Sequence, residues 1–580
     1  MAEVIICGAG VAGLTLARQL KLNFPNIDLT IVAKERFPVS DMKVGESTVE
    51  ISGFYFKETL DLRDYMKNNQ FTKMGLRYFY NGGEKKFKDR PELGLSRFPP
   101  YDSYQIDRSV LENDLYRSAI MAGVKIYEDS SVFDIELSES GQHKVTFTGS
   151  DKQTQTLSCD WVIDATGRRS IIQKKYELRT KLEKNCSSTW FRVKGRVEVD
   201  DLVDSEEKRW HNRVKDRNRY FSTIHLMGHG YWVWLIPLAS GHTSIGVVTH
   251  DSIHNCFDHA SPEKVMSWIR KHEPELADRI AGVPFVDFKA LKSYAYSTKQ
   301  LFSQNRWACV GDAALFPDPF YSPGMNIIGF ENTMITRMIQ LDREEKLTAD
   351  VVKRFNSFVI SYNEWLLDTI HSAYSHFGDD QIMSLNYIWD IAVGWSIICP
   401  QMFNHIIVDD EKYEAIREYW VRFSVISAQM RQLFNDWEEV RKDRYTFEFI
   451  DYLSIPFLKE IYARNLYSGK PVDELVGDYK KNLVILEELA QTIYVMALED
   501  AMPDKLALMD RTRKFNPQIF NLKLEPWNDL KNLYEDKPLK HGIYEQVRSL
   551  YTSGDDAPAR EQAVESAFDF NFNTSNGWKK

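Results

Sequence analysis

Val4-Ile5-Ile6-Cys7-Gly8-Ala9-Gly10-Val11-Ala12-Gly13 is the stretch that decides the fold. Its apolar run predicts a buried strand over 3–7. Helix-period apolar positions at 11–22 and a second apolar run at 29–33 complete a strand, helix, strand unit. Glycines at 8, 10 and 13 permit a tight turn, close approach of backbone to a pyrophosphate and tight helix–strand packing, with the helix N-terminus facing the phosphates. Such turns also occur without a nucleotide, but placement inside a βαβ unit at the start of the chain favours a dinucleotide site at Gly8, Gly10, Ala12 and Gly13. The acid that usually holds the ribose is displaced, because Ile31-Val32 runs into Ala33-Lys34-Glu35. Glu35 either substitutes from a shifted position or is a solvated loop residue.

Outward from that unit, β-like runs at 75–80, 144–148, 159–165, 219–226, 231–238 and 243–249 predict an antiparallel sheet layer inserted into the nucleotide fold. The expected class is α/β, with a doubly wound body over 1–335 that carries insertions at about 70–105 and 180–300. From 336 to 580 the pattern turns helical and rich in Trp, Tyr, Phe and Met as far as about 500, then becomes a mixed tail ending in NFNTSNGWKK. No internal repeat or low-complexity linker divides the chain, so the helical part is expected to pack over the substrate side of the body.

Composition excludes several classes. A net charge of -10 over 580 residues offers no basic field to nucleic acid or an anionic membrane. No basic segment followed by a long apolar run opens the chain, and no apolar run is read as approaching membrane-spanning length, which implies a cytoplasmic protein. The six cysteines, Cys7, Cys159, Cys186, Cys256, Cys309 and Cys399, contain no CxxC pair and read as reduced packing residues. No His/Cys or His/Glu cluster has zinc or iron spacing, so no metal is expected.

Three later motifs extend the nucleotide reading. Trp161-Val162-Ile163 closes on Asp164-Ala165-Thr166-Gly167, Trp307 to Val310 leads into Gly311-Asp312-Ala313-Ala314, and Asp107-Arg108 with Leu111 opens a helix. Each alone is ordinary turn chemistry, but with the glycine turn they make four in order over about 300 residues, which chance explains poorly. Together they resemble the FAD monooxygenases of the para-hydroxybenzoate hydroxylase type. The resemblance implies FAD, with Asp164 and Gly167 near the flavin, Gly311 and Asp312 at the ribityl or pyrophosphate region, and Arg108 reaching the same cofactor. Gly45, Ser47, Pro319 and Asn326 complete the implied cofactor contacts.

Trp232-Val233-Trp234-Leu235-Ile236-Pro237 is similar to the WxWxIP signature of the flavin-dependent halogenases. The same alternation also describes one buried face of a strand. Membership implies that FADH2, O2 and chloride or bromide give hypohalous acid, which a lysine relays to an electron-rich ring. It also implies that Trp232, Trp234, Ile236 and Pro237 line the passage between flavin and substrate. Gly45-Glu46-Ser47-Thr48 followed by Phe71-Thr72-Lys73-Met74-Gly75 makes Lys73 the relay candidate; Lys43 is a rival on the wrong side of the GES segment. The lysine either hydrogen-bonds the hypohalous acid or carries the halogen as a haloamine, and both need a partly dry pocket. The turn Asp318 to Asn326 resembles the family's DPxxSxG and implies a halide site at Ser322, Pro323, Gly324 and Met325. Pro323 lacks an N–H, so Gly324 and Met325 are the donors.

Tryptophan halogenases carry a glutamate before this serine, where this chain has Tyr321. With no carboxylate nearby, the substrate must stabilise its own positive charge, which favours a phenol, resorcinol or pyrrole. The resemblance leans to the phenol- and pyrrole-type enzymes, including the pyrrolnitrin-pathway chlorinase; it is specific over 1–335 and general beyond. Phe320 and Tyr321 are candidate substrate contacts. So are Glu364 and His371, set among aromatic residues at helical spacing and able to deprotonate a phenol. The expected partners are a small aromatic substrate, free or carrier-tethered, and a separate flavin reductase, because no second glycine motif offers a site for NADH. A flavin monooxygenase or reductase, or a flavin-binding protein without turnover, are the competing readings.

Overall fold

The computed structural model describes residues 2–39, 43–139, 142–523 and 533–553. In the strand Ala2–Cys7, Val4 to Cys7 are wholly buried, as a central parallel strand must be when helices cover both faces. Leu29–Val32 and Thr154–Asp164 flank it in parallel, and Lys125–Tyr127 and Trp307–Cys309 extend the row. The register aligns the strand ends Val32, Cys7, Asp164 and Cys309 along one edge, and all three glycine turns leave from it. A doubly wound sheet carries its ligand at that edge.

The second sheet has eight strands in the order Phe285–Leu291, Cys186–Lys194, His242–His250, Tyr231–Pro237, Thr223–Gly228, Leu76–Phe79, Glu92–Leu93, Phe449–Ile450. Alternation on Tyr231–Pro237 sends Trp232, Trp234 and Ile236 into the large core, while Val233 and Leu235 meet a second core closed by the helix Pro262–His272. Gly246 stands opposite Trp234, and a Cβ there would lie 2.1 Å from the indole, so the neighbouring strand must leave that position bare. The strand expected from 219 begins instead at Thr223. Residues 215–221 form a 3-10 segment that delivers Arg219 to a buried cluster with Glu92 and Asp200.

Long helices follow, Gly324–Arg343, Ala349–Ala373, Asp380–Val393, Asp410–Val440 and Val472–Ala501, and the first runs straight through position 335. Phe449–Ile450 returns to the second sheet and pairs with Glu92–Leu93, tying the helical part to the body. Among the described residues two π-helical turns occur, at Tyr55–Thr59 and Gly394–Ile398. Among the described residues one composite helix, Asp380–Phe403, is long and apolar enough to cross a membrane, contrary to the reading that no such run exists; 89% of its apolar window is buried inside the protein. Among the described cysteines all six are free, and Cys256 is half-buried where packing was expected. The NFNTSNGWKK tail lies outside the described residues.

Candidate active site

At the aligned strand ends the backbone makes room for a ligand. Gly8 has φ 121° and an added Cβ would stand 2.2 Å from the Ala165 carbonyl oxygen; one at Gly13 would meet the Gly8 oxygen at 2.2 Å. Only glycine fits either place. A Cβ at Gly10, Gly167 or Gly324 would meet nothing within 4 Å, so these three border open space. The helix Val11–Asn23 starts beside it with no side-chain cap and no acid in its first turn, which leaves its first N–H groups for an anion. Arg108 is held by Glu112 Oε1 at 3.0 Å and by the Val44 carbonyl at 2.7 Å. Burial pushes the Asp312 carboxyl up to about 6 while Arg108 and Arg168 pull it down, and no protein group among the described residues donates to that carboxylate. Unspent helix amides, bare glycines and an unclaimed acid between two arginines fit the pyrophosphate and polyol of FAD.

Lys73 ends the strand Phe71–Lys73 and is wholly buried. Its Nζ donates to Ser47 Oγ at 2.8 Å and to the Thr48 carbonyl at 2.7 Å, and no third protein acceptor is found among the described residues. Ser47 Oγ also receives Ser322 Oγ at 2.8 Å and lies 2.8 Å from Thr223 Oγ1. One hydroxyl thus joins the GES segment, the lysine and the turn that follows Gly311. Burial lowers the Lys73 ammonium to about 7, with the negative charge of Glu50 working the other way. In the turn, Tyr321 and Ser322 take left-handed backbone, φ 67° and 58°, and bring Pro323 to the head of a 20-residue helix that again has no side-chain cap. The Gly324 and Met325 amides open that helix.

Lys73 looks into a cavity of about 110 Å³, on the scale of the roughly 150 Å³ void known to accept benzene. The body contributes Glu50, Tyr321, Pro323 and Asn326 to its wall; the helical part contributes Tyr362, Trp365, Tyr387, Asp390 and Trp395. Burial raises both carboxyls, Asp390 to about 7.

A model of the FAD binding domain family matches residues 1–329. The flavin-dependent halogenase chlA of Dictyostelium discoideum is 29% identical over 469 residues, covering 72% of this chain and 74% of that one. This chain belongs to the flavin-dependent halogenases, within the FAD-binding-domain family. The 1H-pyrrole-2-carbonyl-[peptidyl-carrier protein] chlorinase of Pseudomonas fluorescens is 23% identical over 345 residues, covering 56% of the halogenase described here and 72% of its own length. The crystal structure of halogenase PltM shares the fold, with a TM-score of 0.60 at 14% identity over 84% of this chain and 96% of that one. The FAD expected from the motifs is the cofactor of this family, and the protein is an oxidoreductase.

Several expected contacts of the halogenase fall elsewhere. Asp164 spends both oxygens on its own loop, Oδ1 on Thr166 N at 3.0 Å and Oγ1 at 2.6 Å, Oδ2 on Ile172 N at 2.8 Å. These bonds shape the turn at the end of the strand. Trp232, Trp234, Ile236 and Pro237 are absent from the cavity wall. Trp232 meets Phe320 edge to face and donates to Tyr374 Oη at 3.1 Å, and Trp234 packs on Trp232 and donates to Ser244 Oγ at 3.2 Å, so Trp232 backs the turn. Phe320 is buried in this packing and does not line the cavity either. Glu364 is exposed on the far face of its helix from Tyr362 and Trp365. His371 turns to Asp318, its Nε2 3.7 Å from Oδ2, and leaves the cavity wall. Glu35 is exposed beyond the end of its strand, and Lys43 is paired with Glu112 at 2.6 Å.

Two features escaped sequence reading. The argument that no carboxylate stands by the substrate fails, since Glu50 and Asp390 enter the cavity from other elements. A signal existed for each: Glu50 follows Ser47 by three residues, and Asp390 is an acid within the apolar run Tyr387 to Val393. The other is Cys186, Asp318 and His371, gathered from far-apart segments with ligand-type atoms within 4.8 Å of one another, which no spacing foretold. Tyr294 and Tyr374 both donate to Asp318 there, at 2.9 Å.

Proposed function

We propose that this halogenase places chlorine or bromine on an electron-rich aromatic small molecule, a phenol, resorcinol or pyrrole, with Lys73 as the relay. The observation that carries the reading is a buried amine that lines a ring-sized cavity while Ser47 links it to the turn at Ser322. When bound, reduced FAD with O2 supplies the oxidising power that turns halide into hypohalous acid. Gly8, Gly10, Ala12, Gly13, Arg108 and Asp312 hold the cofactor; the amides of Gly324 and Met325, beside Ser322, hold the halide.

Lys73 then delivers the oxidised halogen across the cavity. With a proton affinity near 7 it is available both as an ammonium that polarises the hypohalite oxygen and as an amine that takes the halogen. Trp232 packs against Phe320 and so backs the turn that leads to Ser322. Reduced flavin comes from a separate reductase, and the substrate is free or carrier-tethered, as with the pyrrolyl-carrier relative.

The test supplies reduced FAD, O2 and bromide with resorcinol, phloroglucinol and pyrrole-2-carboxamide, and reads isotope patterns by mass spectrometry. Wild type should give brominated rings, and Lys73→Ala should lose that product about 10³-fold. Brominated product that persists in Lys73→Ala removes the relay; hydroxylated product alone makes the protein a monooxygenase.

A further inference from the structure

Asp390 stands on the cavity wall from the helix Asp380–Val393, 8% exposed. Its two hydrogen bonds, from Tyr321 Oη at 2.8 Å and Asn386 Nδ2 at 2.6 Å, both end on Oδ2. Oδ1 has no protein partner among the described residues. Oδ1 is not sealed off from contact, so it can accept a donor from whatever fills the cavity that Asp390 lines. The other groups that reach the carboxyl electrostatically are Tyr78 and Arg431; Tyr387, Glu50 and Lys73 share its cavity.

From this geometry we infer that Asp390 is the base of the halogenation and that the substrate presents a phenolic hydroxyl to it. The inference rests on the halogenase reading above and narrows its substrate from electron-rich rings in general to phenols. The phenol O–H bond breaks and its proton passes to Oδ1, so the oxygen pushes electrons into the ring. A ring carbon bonds the halogen of hypohalous acid as the halogen–oxygen bond breaks. The departing hydroxide takes the ring proton as water, and Asp390 returns its own proton to the phenolate oxygen. The sum is phenol plus hypohalous acid giving halophenol plus water. Burial helps, because a carboxyl raised to about 7 accepts a phenolic proton far better than an exposed one.

A purely structural role is the rival account. Asp390 anchors Tyr321, which sits in left-handed backbone, and that anchor alone would explain its place. Asp390→Asn separates the two, since the amide oxygen still accepts from Tyr321 but is not a base. Bromination of resorcinol is followed across the pH range for wild type, Asp390→Asn and Asp390→Glu, with bound FAD and Tm as checks on folding. The expected result is a kcat/KM about 10²-fold below wild type near neutral pH in Asp390→Asn, a defect that shrinks as the solution ionises the phenol, and at least partial recovery in Asp390→Glu. A profile for Asp390→Asn that matches wild type, or a deficit constant with pH, overturns the base. Wild type that brominates pyrrole-2-carboxamide but not resorcinol overturns the inference alone, whereas wild type that brominates neither removes the halogenase reading with it. Should Asp390→Asn fail to hold FAD, Tyr321→Phe takes its place: it removes the anchor and keeps the acid, and a pH profile of wild-type shape is then expected, while one with a phenol-ionisation limb refutes the base.

Discussion

The two walls of the cavity are made in different ways. On the body side, short polar links cross long stretches of sequence, and a single hydroxyl, Ser47, touches Lys73, Thr223 and Ser322. On the helical side the lining is mostly aromatic and aliphatic, and its polar cluster of Asp390 and Asn386 meets the body at Tyr321. The first wall fixes atoms to within a hydrogen bond, which chemistry requires; the second sets a volume, which tolerates exchange. Apart from Asp390, which the helical wall lends to the chemistry, reaction type and choice of substrate therefore reside in separate stretches of this chain.

Substitutions on each wall sharpen or break that division. After Lys73→Ala, Ser47→Ala should do the most damage: it strips Lys73 of one of two acceptors and Ser322 of its partner, and product formation should fall about 10²-fold at roughly 1–1.5 kcal/mol per lost bond. Steady-state kinetics with bromide and resorcinol read this, with FAD content scored separately. Trp395→Ala on the opposite wall should raise KM about tenfold and leave kcat within a few-fold. A collapse of kcat there would show that the walls do not divide their labour.

The pH profile probes the body wall more finely. If the ammonium form of Lys73 works, the rate falls as pH rises through about 7; if the free amine carries halogen, it rises there. Glu50→Gln removes the charge that helps Lys73 keep its proton, so whichever limb is seen should move to lower pH by about half a unit. A limb that does not move would detach Glu50 from the lysine.

The smallest effect is on stability. Folding lowers the proton affinity of Lys73 from its ordinary 10.5 to about 7, so between those values the unfolded chain binds more protons and stability gains with rising pH. Lys73→Met escapes that penalty. Its melting temperature should exceed wild type by about 2–4 °C near pH 7, and the gap should close as pH approaches 10. A gap that widens instead would mean the lysine is charged at no cost.

Much of the body wall was legible in sequence because its parts are local. The glycine turn, the GES segment, Lys73 and the turn at 318–326 are short strings whose residue types serve one purpose each, and the strand runs at 144–148, 231–238 and 243–249 match observed strands nearly residue for residue. The helical wall was not legible. A stripe of aromatic residues predicts an apolar face but not which of its members border a void, so Glu364 and His371 were chosen by type, and helix phase turned both away. Asp164 misled for a related reason: a motif residue can serve its motif by bonding to the backbone next to it, and sequence does not say which way a carboxylate points.

The π-helical turn at Gly394–Ile398 carries a consequence for how this lining could diverge. Cavity residues on that segment are Asp390, Ile391, Gly394, Trp395, Ile398 and Cys399, recurring every fourth residue. In a regular α-helix, eight residues at about 100° each drift some 80° off a face, and the wider turn absorbs the drift. Deleting one residue there would swing everything beyond it around the axis by about 100°, exchanging one set of side chains for another at almost unchanged composition. What the ring meets is thus written in a count of residues as well as in their kinds, and an insertion or deletion of one could retune selectivity where many point changes would not.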